Sequence, residues 1–339
     1  MIRAGVVGMG FIGQVHAKCY QETEGAQLVA VCDIDETKLK SAGRTEGNIE
    51  QPAGALDLTN VELYTDFDEM LDKAGLDAVS IALPTSMHAE YTIKALDAGL
   101  GVLCEKPLAP NISQCEQIIN AAQTSGTTLQ VGHCIRFWPE YAKTKEVIDS
   151  GEYGKVRAAD FRRLGSAPAW SWNQWMMDAA QSGGALMDLH IHDSDYVQYA
   201  FGMPTTVYTR CTKGPSSKYD HIATHYLYDD DRVITAEGSW LMSPGFGFEM
   251  SFNIVLEEAT IVFDNTRKTA FRICPADKDP FTPEILPGDG WSLEIAHFIK
   301  AVSGEKVPKI TTPADSLDSV RLVLAERQSA ETGKAVAIE

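Results

Sequence analysis

Apolar and polar residues follow two different patterns along this chain, and the first covers residues 1–132. Short apolar, β-rich runs end in Gly, Asp, Pro or Glu, and a segment with helical spacing follows each run. The pattern predicts strands at Ile2–Val7, Leu28–Cys32, Glu62–Tyr64, Ala78–Leu83, Val102–Cys104 and Thr128–Val131. It predicts helices at Ile12–Tyr20, Glu36–Ser41, Phe67–Lys73, His88–Ala98 and Ser113–Thr124. Alternating strands and helices of this kind predict an α/β domain with a doubly wound parallel sheet.

The second pattern begins after Gly132, where strands become more frequent than helices. A helical segment at Pro139–Ser150 precedes strand-like runs at Val156–Arg163, Val207–Cys211, Ile222–Tyr228, Val233–Trp240, Glu249–Leu256 and Thr260–Phe263. The polar stretch Asp229–Arg232 separates two of these runs as a hairpin turn would. Helical spacing returns at Ser292–Val302 and Ala314–Ala330. This half is therefore predicted to be an α+β domain with a largely antiparallel open sheet.

The length of 339 residues suits two domains with substantial cores. We predict a first domain at 1–132 and a second at 133–339, with the last helix, about 314–331, able to pack back on the first domain. The polar insert Gly43–Asn60 contains Gly and Pro, which is typical of a surface loop.

Charge and cysteine content narrow the class of protein. The formal net charge is −18, and so acidic a surface repels nucleic-acid phosphates and anionic lipid. The 7 cysteines are scattered and never spaced C-x-x-C, as expected of reduced thiols rather than disulfides or a zinc site. No apolar stretch approaches the length of a membrane-spanning helix. These features favour a cytoplasmic protein that binds neither nucleic acid nor membranes.

A glycine motif joins the first predicted strand to the first predicted helix. Gly8-x-Gly10-x-x-Gly13 is the fingerprint of a dinucleotide-binding Rossmann domain, with Phe11 and Ile12 inside the turn. The glycines permit a tight turn, close approach of a pyrophosphate and close helix–strand packing, and the helix N-terminus supplies N–H groups. Asp33, at the end of the second strand, is placed to accept hydrogen bonds from a ribose and to repel a 2′-phosphate. The motif predicts NAD, preferred over NADP.

Two further strand ends carry polar groups where the nicotinamide half of the cofactor should lie. Leu83-Pro84 ends the fourth strand, and His88 follows in the first turn of the next helix. His88 either contacts the cofactor or is a structural residue at the start of a helix. The fifth strand ends in Glu105 and Lys106, immediately before a proline.

Taken together, the motifs resemble the Gfo/Idh/MocA family of oxidoreductases, the group of glucose–fructose oxidoreductase and inositol dehydrogenase. They are the N-terminal fingerprint, EKP at the fifth strand end, the run Gly132–Pro139, GGALMDLHIHDSD and the C-terminal SAETGKAV. The resemblance covers nearly the whole chain. It implies that Lys106 reaches the reacting hydroxyl or carbonyl and that Asp188 and His192 lie across the cleft in the second domain. It also implies a homodimer or homotetramer.

The residues themselves support these assignments. Asp188 and His192 are four positions apart and share one face of a helix, whereas His190 points nearly opposite. Oxidation of a secondary alcohol requires loss of the hydroxyl proton, which a histidine can accept near neutral pH. An ammonium group such as Lys106 stabilises developing alkoxide charge, and a carboxylate such as Asp188 orients its partner. Glu105 is expected to tune Lys106 or to contact the cofactor ribose.

Several residues keep alternative interpretations. His190–Asp193 could hold a metal, but no further cysteine or histidine has matching spacing, and we predict no metal. Asp188 and His192 could instead be a helix cap and a core histidine. Among Trp170, Trp172 and Trp175, the resemblance makes Trp175 the best candidate to line the substrate cleft, followed by Arg163. Tyrosines that bind substrate in some relatives have no counterpart at Ser243–Phe248.

Three functions fit the sequence. The leading one is an NAD-dependent dehydrogenase of a sugar, polyol or inositol. The second is a glycosidase of the same family that oxidises and re-reduces its sugar with bound NAD. The third is a non-catalytic dinucleotide-binding regulator, which the presence of Lys106, Asp188 and His192 disfavours.

Overall fold

The computed structural model describes residues 1–40 and 56–338. The predicted surface loop at Gly43–Asn60 lies outside the described residues apart from its last positions, 56–60. The chain forms two compact units. The first unit comprises Met1–Phe137, Trp170–Asn173 and Asp289–Leu317, and the second comprises Trp138–Ala169, Gln174–Gly288 and Asp318–Glu339. The predicted domain boundary after residue 132 stays a prediction.

The first unit contains a six-stranded parallel sheet in the order β3-β2-β1-β4-β5-β6. Its strands are β1 Ile2–Val7, β2 Ala26–Cys32, β3 Glu62–Tyr64, β4 Ala78–Ile81, β5 Gly101–Glu105 and β6 Leu129–Gly132. Its first helices are α1 Phe11–Glu22, α2 Glu36–Lys40, α3 Phe67–Lys73, α4 His88–Asp97 and α5 Ile112–Ser125. The predicted doubly wound Rossmann fold is confirmed.

The second unit contains an eight-stranded sheet that is antiparallel except for one parallel pair. Its strands are β7 Val156–Leu164, β8 Thr206–Lys213, β9 Tyr219–Leu227, β10 Val233–Ser239, β11 Glu249–Leu256, β12 Ala259–Asp264, β13 Phe271–Pro275 and β14 Val336–Ala337. The strand order is β13-β12-β11-β7-β10-β9-β8-β14, with β7 and β10 parallel. The predicted antiparallel α+β domain is confirmed, and β13 and β14 are additions to the predicted strands.

The remaining helices are α6 Pro139–Ser150, α7 Ala179–Ser182, α8 Ile191–Phe201, α9 Gly290–Val302 and α10 Pro313–Thr332. Helix α9 belongs to the first unit, although it lies far beyond residue 132. Helix α10 is divided at Leu317, because its first residues group with the first unit and the rest with the second.

The core of the second unit is an aromatic cluster on the inner face of the sheet. Tyr141 makes edge-to-face contacts with Tyr196 of α8 and Phe252 of β11, with ring centroids 4.8 and 4.9 Å apart. The Tyr196 hydroxyl donates to the main-chain oxygen of Tyr141 at 2.7 Å. Aromatic pairs of this kind stabilise a core beyond their buried area. The cluster therefore fixes α8, the helix that carries His192, against the sheet.

The outer face of the same sheet is polar rather than apolar. Arg162 of β7 lies within 3.3 Å of Glu237 on β10 and 3.0 Å of Glu249 on β11. Asn253 donates to Asp160 across the β11–β7 pair at 3.0 Å. A sheet face covered by paired charges tolerates water and can also form polar contacts with another protein surface.

Within residues 1–40 and 56–338, no helix is long and apolar enough to cross a membrane. All seven cysteines lie in these ranges, and none of them forms a disulfide bond.

Candidate active site

The β1–α1 turn combines close packing at two of its glycines with open space at the third. Gly8 has φ +91°, and a Cβ at this position would lie 2.4 Å from the main-chain oxygen of Ala82. A Cβ on Gly13 would lie 1.7 Å from the oxygen of Gly8. In the described part of the chain, by contrast, a Cβ on Gly10 would have no heavy atom within 4 Å. Packing thus requires Gly8 and Gly13, whereas Gly10 leaves space in front of the N-terminus of α1, where phosphate oxygens can meet free N–H groups.

Asp33 lies beside this turn, at the end of β2. Its Oδ2 accepts from the N–H of Met9 at 2.7 Å, and its Oδ1 accepts from the N–H of Asp35 at 2.9 Å. The Lys38 ammonium lies 3.2 Å from Oδ2. These contacts fix the carboxylate next to the glycine turn, and its role in ribose binding stays a prediction. Lys38, which lies in α2 five positions after Asp33, was not predicted from the sequence.

Aromatic side chains surround the start of α1. The Phe11 ring lies 5.7 Å from the Trp170 ring and 6.2 Å from the Trp291 ring. The Lys38 ammonium lies 4.9 Å from the centre of the Trp172 ring. Trp170 and Trp172, considered above as residues of the substrate cleft, therefore pack within the first unit. Phe11 and Ile12 are half-buried, and their predicted cofactor contacts stay predictions.

Glu105 is the last residue of β5, and its carboxylate fills a space beside Gly132 of β6. Its Oε1 lies 3.1 Å from Nε2 of His16, and its Oε2 accepts from the backbone N–H of Lys106 at 3.1 Å. A Cβ on Gly132 of β6 would lie 2.9 Å from Oε1, so this position needs a glycine. Burial alone would raise the pKa of Glu105, but His16, Lys106 and His88 outweigh it, and the pKa lies below its ordinary value.

His88 is fully buried between two turns of the first unit. Its Nδ1 lies 2.7 Å from the oxygen of Pro107, and its Nε2 lies 2.8 Å from the oxygen of Leu83. Burial lowers the pKa of His88. Of the two roles considered for His88, this geometry favours the structural one, since the ring connects the β4 turn to the turn after Lys106. Leu83, Pro84 and Lys106 remain half-buried.

The second unit presents two titratable side chains on one helical segment. Every residue from Ala185 to Val197 is described, and only Asp188 and His192 among them are not buried. The segment begins as a π-helical turn, Leu186–His190, and continues as α8. Single π-helical turns are frequent at functional sites. A half-buried carboxylate and a half-buried imidazole on an otherwise buried helical segment form a candidate site for proton transfer.

Glycines and an aspartate position the start of this segment. Gly183 and Gly184 have φ of +78° and +75°. A Cβ on Gly184 would lie 3.1 Å from Oγ of Ser216, so the turn packs closely against the sheet. The buried carboxylate of Asp220 accepts from the N–H of Ala185 at 3.4 Å and from the Ser216 hydroxyl at 2.6 Å. The helix that carries Asp188 therefore begins at a defined place.

Arg163 and His190 are buried, unlike the half-buried Asp188 and His192. The Arg163 guanidinium, 2% exposed, binds both oxygens of Asp193 at 2.9 and 2.8 Å. His190 is fully buried, with Nε2 at 3.4 Å from Glu326 of α10. Arg163 is thus committed to an internal ion pair, and this geometry does not favour the substrate-binding role predicted for it. The predicted difference between His190 and His192 agrees with their burial.

Lys106 belongs to the first unit, whereas Asp188, His192 and half-buried Trp175 belong to the second. Their predicted convergence over the nicotinamide stays a prediction. Two ionisable residues of the first unit, His16 and Lys38, were not predicted from the sequence. The available signal for His16 was its place between the apolar residues Val15 and Ala17 of α1.

Comparison with known proteins places this geometry in a family. Residues 2–133 match the family described as "Oxidoreductase family, NAD-binding Rossmann fold", and residues 141–262 match the "GFO/IDH/MocA C-terminal domain". The scyllo-inositol 2-dehydrogenase (NAD(+)) of Bacillus subtilis is 29% identical over 100% of this chain and 96% of that protein.

A second relative, 2,7-anhydro-N-acetylneuraminate hydratase of Mediterraneibacter gnavus, is 32% identical over 60% of this chain and 50% of its own length. A solved structure of levoglucosan dehydrogenase, in complex with NADH and levoglucosan, shares the fold with a TM-score of 0.82. It is 21% identical and covers 99% of both chains. With both of its halves matched in chain order, the protein belongs to the Gfo/Idh/MocA family of NAD-binding oxidoreductases.

Proposed function

We propose that this oxidoreductase uses NAD to oxidise a secondary alcohol of a sugar, a polyol or an inositol. The observation that supports this most is the pair Asp188 and His192, the only residues not buried in the fully described stretch Ala185–Val197. A relative named scyllo-inositol 2-dehydrogenase and a structural neighbour named levoglucosan dehydrogenase support the substrate class.

In this proposal each charged residue has one task. NAD, when bound, supplies the acceptor for the hydride. His192 takes the hydroxyl proton, and Asp188 orients its imidazole. Lys106 stabilises the negative charge that develops on the alcohol oxygen. Gly8 and Gly13 shape the turn, Gly10 leaves the space for the pyrophosphate, and Asp33 holds the adenosine ribose, which favours NAD over NADP.

The test is a screen of sugars, polyols and inositols for NADH formation, followed by variants of the catalytic residues. A general base contributes about 100- to 10,000-fold, so His192→Ala should lower turnover on that order while NAD affinity barely changes. Lys106→Ala should lose activity similarly. Asp188→Asn should keep the fold and lose part of the rate.

His190→Ala is the matched control, because His190 lies on the same helical segment but is fully buried. It should lower thermal stability more than turnover. Near-normal turnover of His192→Ala, or a greater loss of turnover in His190→Ala, would contradict the proposal.

The alternative is the glycosidase of the same family, whose reaction has no net redox change. The relative named a hydratase supports this alternative. A sugar derivative that is consumed without accumulation of NADH, in a reaction that still needs Lys106, would favour that alternative. Dinucleotide binding without turnover of any substrate would favour a regulator.

We also propose a cytoplasmic homodimer or homotetramer. The absence of disulfides among the seven described cysteines supports a reducing compartment. The polar, charge-paired outer face of the second unit's sheet is the candidate interface. Light scattering at micromolar concentration should show an oligomer that Arg162→Glu weakens, because the substitution places like charges beside Glu237 and Glu249. A monomeric wild-type protein would contradict this prediction.

A further inference from the structure

Three ionisable side chains meet inside the first unit, behind the turn that carries Lys106. They are His16 of α1, Glu105 at the end of β5 and Glu294 of α9, with exposures of 0, 6 and 0%. One nitrogen or oxygen atom from each lies within 4.8 Å of the others. Ionisable groups are rarely buried unless they are paired, because their burial costs stability. We therefore expect this cluster to have a function.

The cluster connects the cofactor-binding helix to the catalytic turn. Nε2 of His16 lies 3.1 Å from Oε1 of Glu105. The other oxygen of the same carboxylate accepts from the backbone N–H of Lys106 at 3.1 Å. Gly132 leaves the space that the carboxylate fills. A displacement of Glu105 would therefore move the backbone from which the Lys106 side chain extends.

We propose that His16 is a positioning residue that acts through Glu105 on Lys106. Its imidazole fixes the carboxylate, and the carboxylate fixes the backbone of Lys106. Since His16 lies in the helix whose N-terminus faces the cofactor phosphates, one rigid element sets both the cofactor and the lysine. This inference rests on the proposed function, in which Lys106 meets the reacting oxygen.

The same donor set could in principle hold a divalent metal. Two observations favour positioning. Glu105 uses one oxygen for the Lys106 N–H and directs the other at His16, and the three side chains, with exposures of 0, 6 and 0%, are closed to the solvent from which a metal and its water ligands would enter.

The decisive comparison is His16→Gln with His16→Asn. The glutamine amide reaches the position of Nε2, whereas the asparagine amide reaches only that of Nδ1. Misplacement by about 1 Å can cost about 100-fold in rate, so His16→Asn should lower kcat by about 10- to 100-fold. The KM for the polyol and the dissociation constant of NAD should stay within about twofold. His16→Gln should recover most of the lost kcat.

Tyr20→Phe is the matched control. Tyr20 lies one turn further along α1, is fully buried and bonds to the Ser80 hydroxyl at 2.7 Å. This variant loses a buried hydrogen bond of the same helix and should keep its kcat. Thermal unfolding of all three variants, compared with wild type, separates lost stability from lost turnover.

Equal kcat in His16→Gln and His16→Asn would overturn the positioning role, provided that Lys106→Ala remains inactive and the proposed function stands. A stoichiometric metal in the purified protein that His16→Asn removes would overturn it in favour of a metal site. Wild-type turnover that does not depend on Lys106 would overturn the proposed function and the positioning role together.

Discussion

At the scale of single residues, the proposed preference for NAD over NADP depends on two opposite charges, those of Asp33 and Lys38. The carboxylate repels a 2′-phosphate, but the Lys38 ammonium, 3.2 Å away, would attract one. Asp33→Ser should therefore raise the ratio of kcat/KM with NADP to that with NAD by about tenfold or more, since each 1.4 kcal/mol of charge interaction is worth a factor of ten.

Asp33→Ser combined with Lys38→Ala is the control, because it removes the cation that would meet the 2′-phosphate. The double variant should lose much of the gain with NADP. Steady-state kinetics with both cofactors measures the ratio, and a wild-type enzyme equally efficient with NADP would contradict the prediction.

Among individual residues, the sequence indicated those whose chemistry depends on local spacing. Gly8, Gly10 and Gly13 lie where the fingerprint requires them, and Asp188 and His192 are the half-buried residues of an otherwise buried helical segment. Distant partners were not predictable. The Asp193 that engages Arg163 is 30 positions away, and the Glu105 beside His16 is in another element. A single sequence contains no signal for such pairs, because packing decides which polar groups meet.

At the scale of elements, two glycines of the β1–α1 turn have different roles, since Gly13 is needed for folding and Gly10 for cofactor binding. Gly13→Ala places a Cβ 1.7 Å from a backbone oxygen that cannot move away, so this variant should unfold or lose several kcal/mol of stability. Gly10→Ala meets no such obstacle within the described residues but fills the space predicted for the pyrophosphate.

The Gly10→Ala variant should therefore keep a melting temperature near that of wild type while its NAD affinity falls by about tenfold or more, as expected for a lost phosphate contact. Thermal unfolding and calorimetric titration with NAD measure the two effects. Equal stability of the two variants, or normal NAD binding by Gly10→Ala, would contradict this prediction.

Element boundaries followed the hydrophobic pattern closely where strands and helices alternate. Predicted and observed bounds coincide for Ile2–Val7, Phe67–Lys73 and Glu249–Leu256. The pattern missed β14 because two residues are too few to show alternation. It also missed the π-helical turn Leu186–His190, since its hydrogen-bond register leaves little trace in the side-chain pattern.

For the whole molecule, the order of elements along the chain predicted the two kinds of sheet but not which helices cover each. Helix α9 follows the second unit's strands in sequence, yet it groups with the first unit. An amphipathic helix shows that it has an apolar face but not which sheet that face will contact. The burial of two carboxyl groups, Glu294 of α9 and Glu326 of α10, could not be predicted from the sequence either.

Glu326 gives the molecule a pH dependence that its composition does not suggest. Burial raises the pKa of this carboxyl from 4.5 to about 8, although the Ser194 hydroxyl donates to it at 2.9 Å. Burial also lowers the pKa of His190, 3.4 Å away, from 6.5 to about 3. The folded state therefore keeps both groups neutral over a wide range of pH.

The two shifts act on stability in opposite directions. Between pH 4.5 and 8 the folded state holds a proton on Glu326 that the unfolded state has lost, so this contribution to stability decreases as the pH rises. Between pH 3 and 6.5 the unfolded state protonates His190 and the folded state does not, so this contribution increases with pH. The effects cancel between pH 4.5 and 6.5, and the Glu326 effect alone remains from pH 6.5 to 8.

Glu326→Gln should remove that remaining slope, because glutamine keeps the shape and cannot ionise. From pH 6.5 to 8 the free energy of unfolding of wild type should fall relative to the variant by up to about 1.4 kcal/mol per pH unit, the limit for one proton. Urea unfolding at half-unit steps of pH measures this difference. Glu331→Gln, an exposed position on the same helix, should run parallel to wild type. If the Glu326→Gln curve is also parallel to that of wild type, Glu326 has the same pKa in the folded and unfolded states. Its burial would then not contribute to the pH dependence of stability.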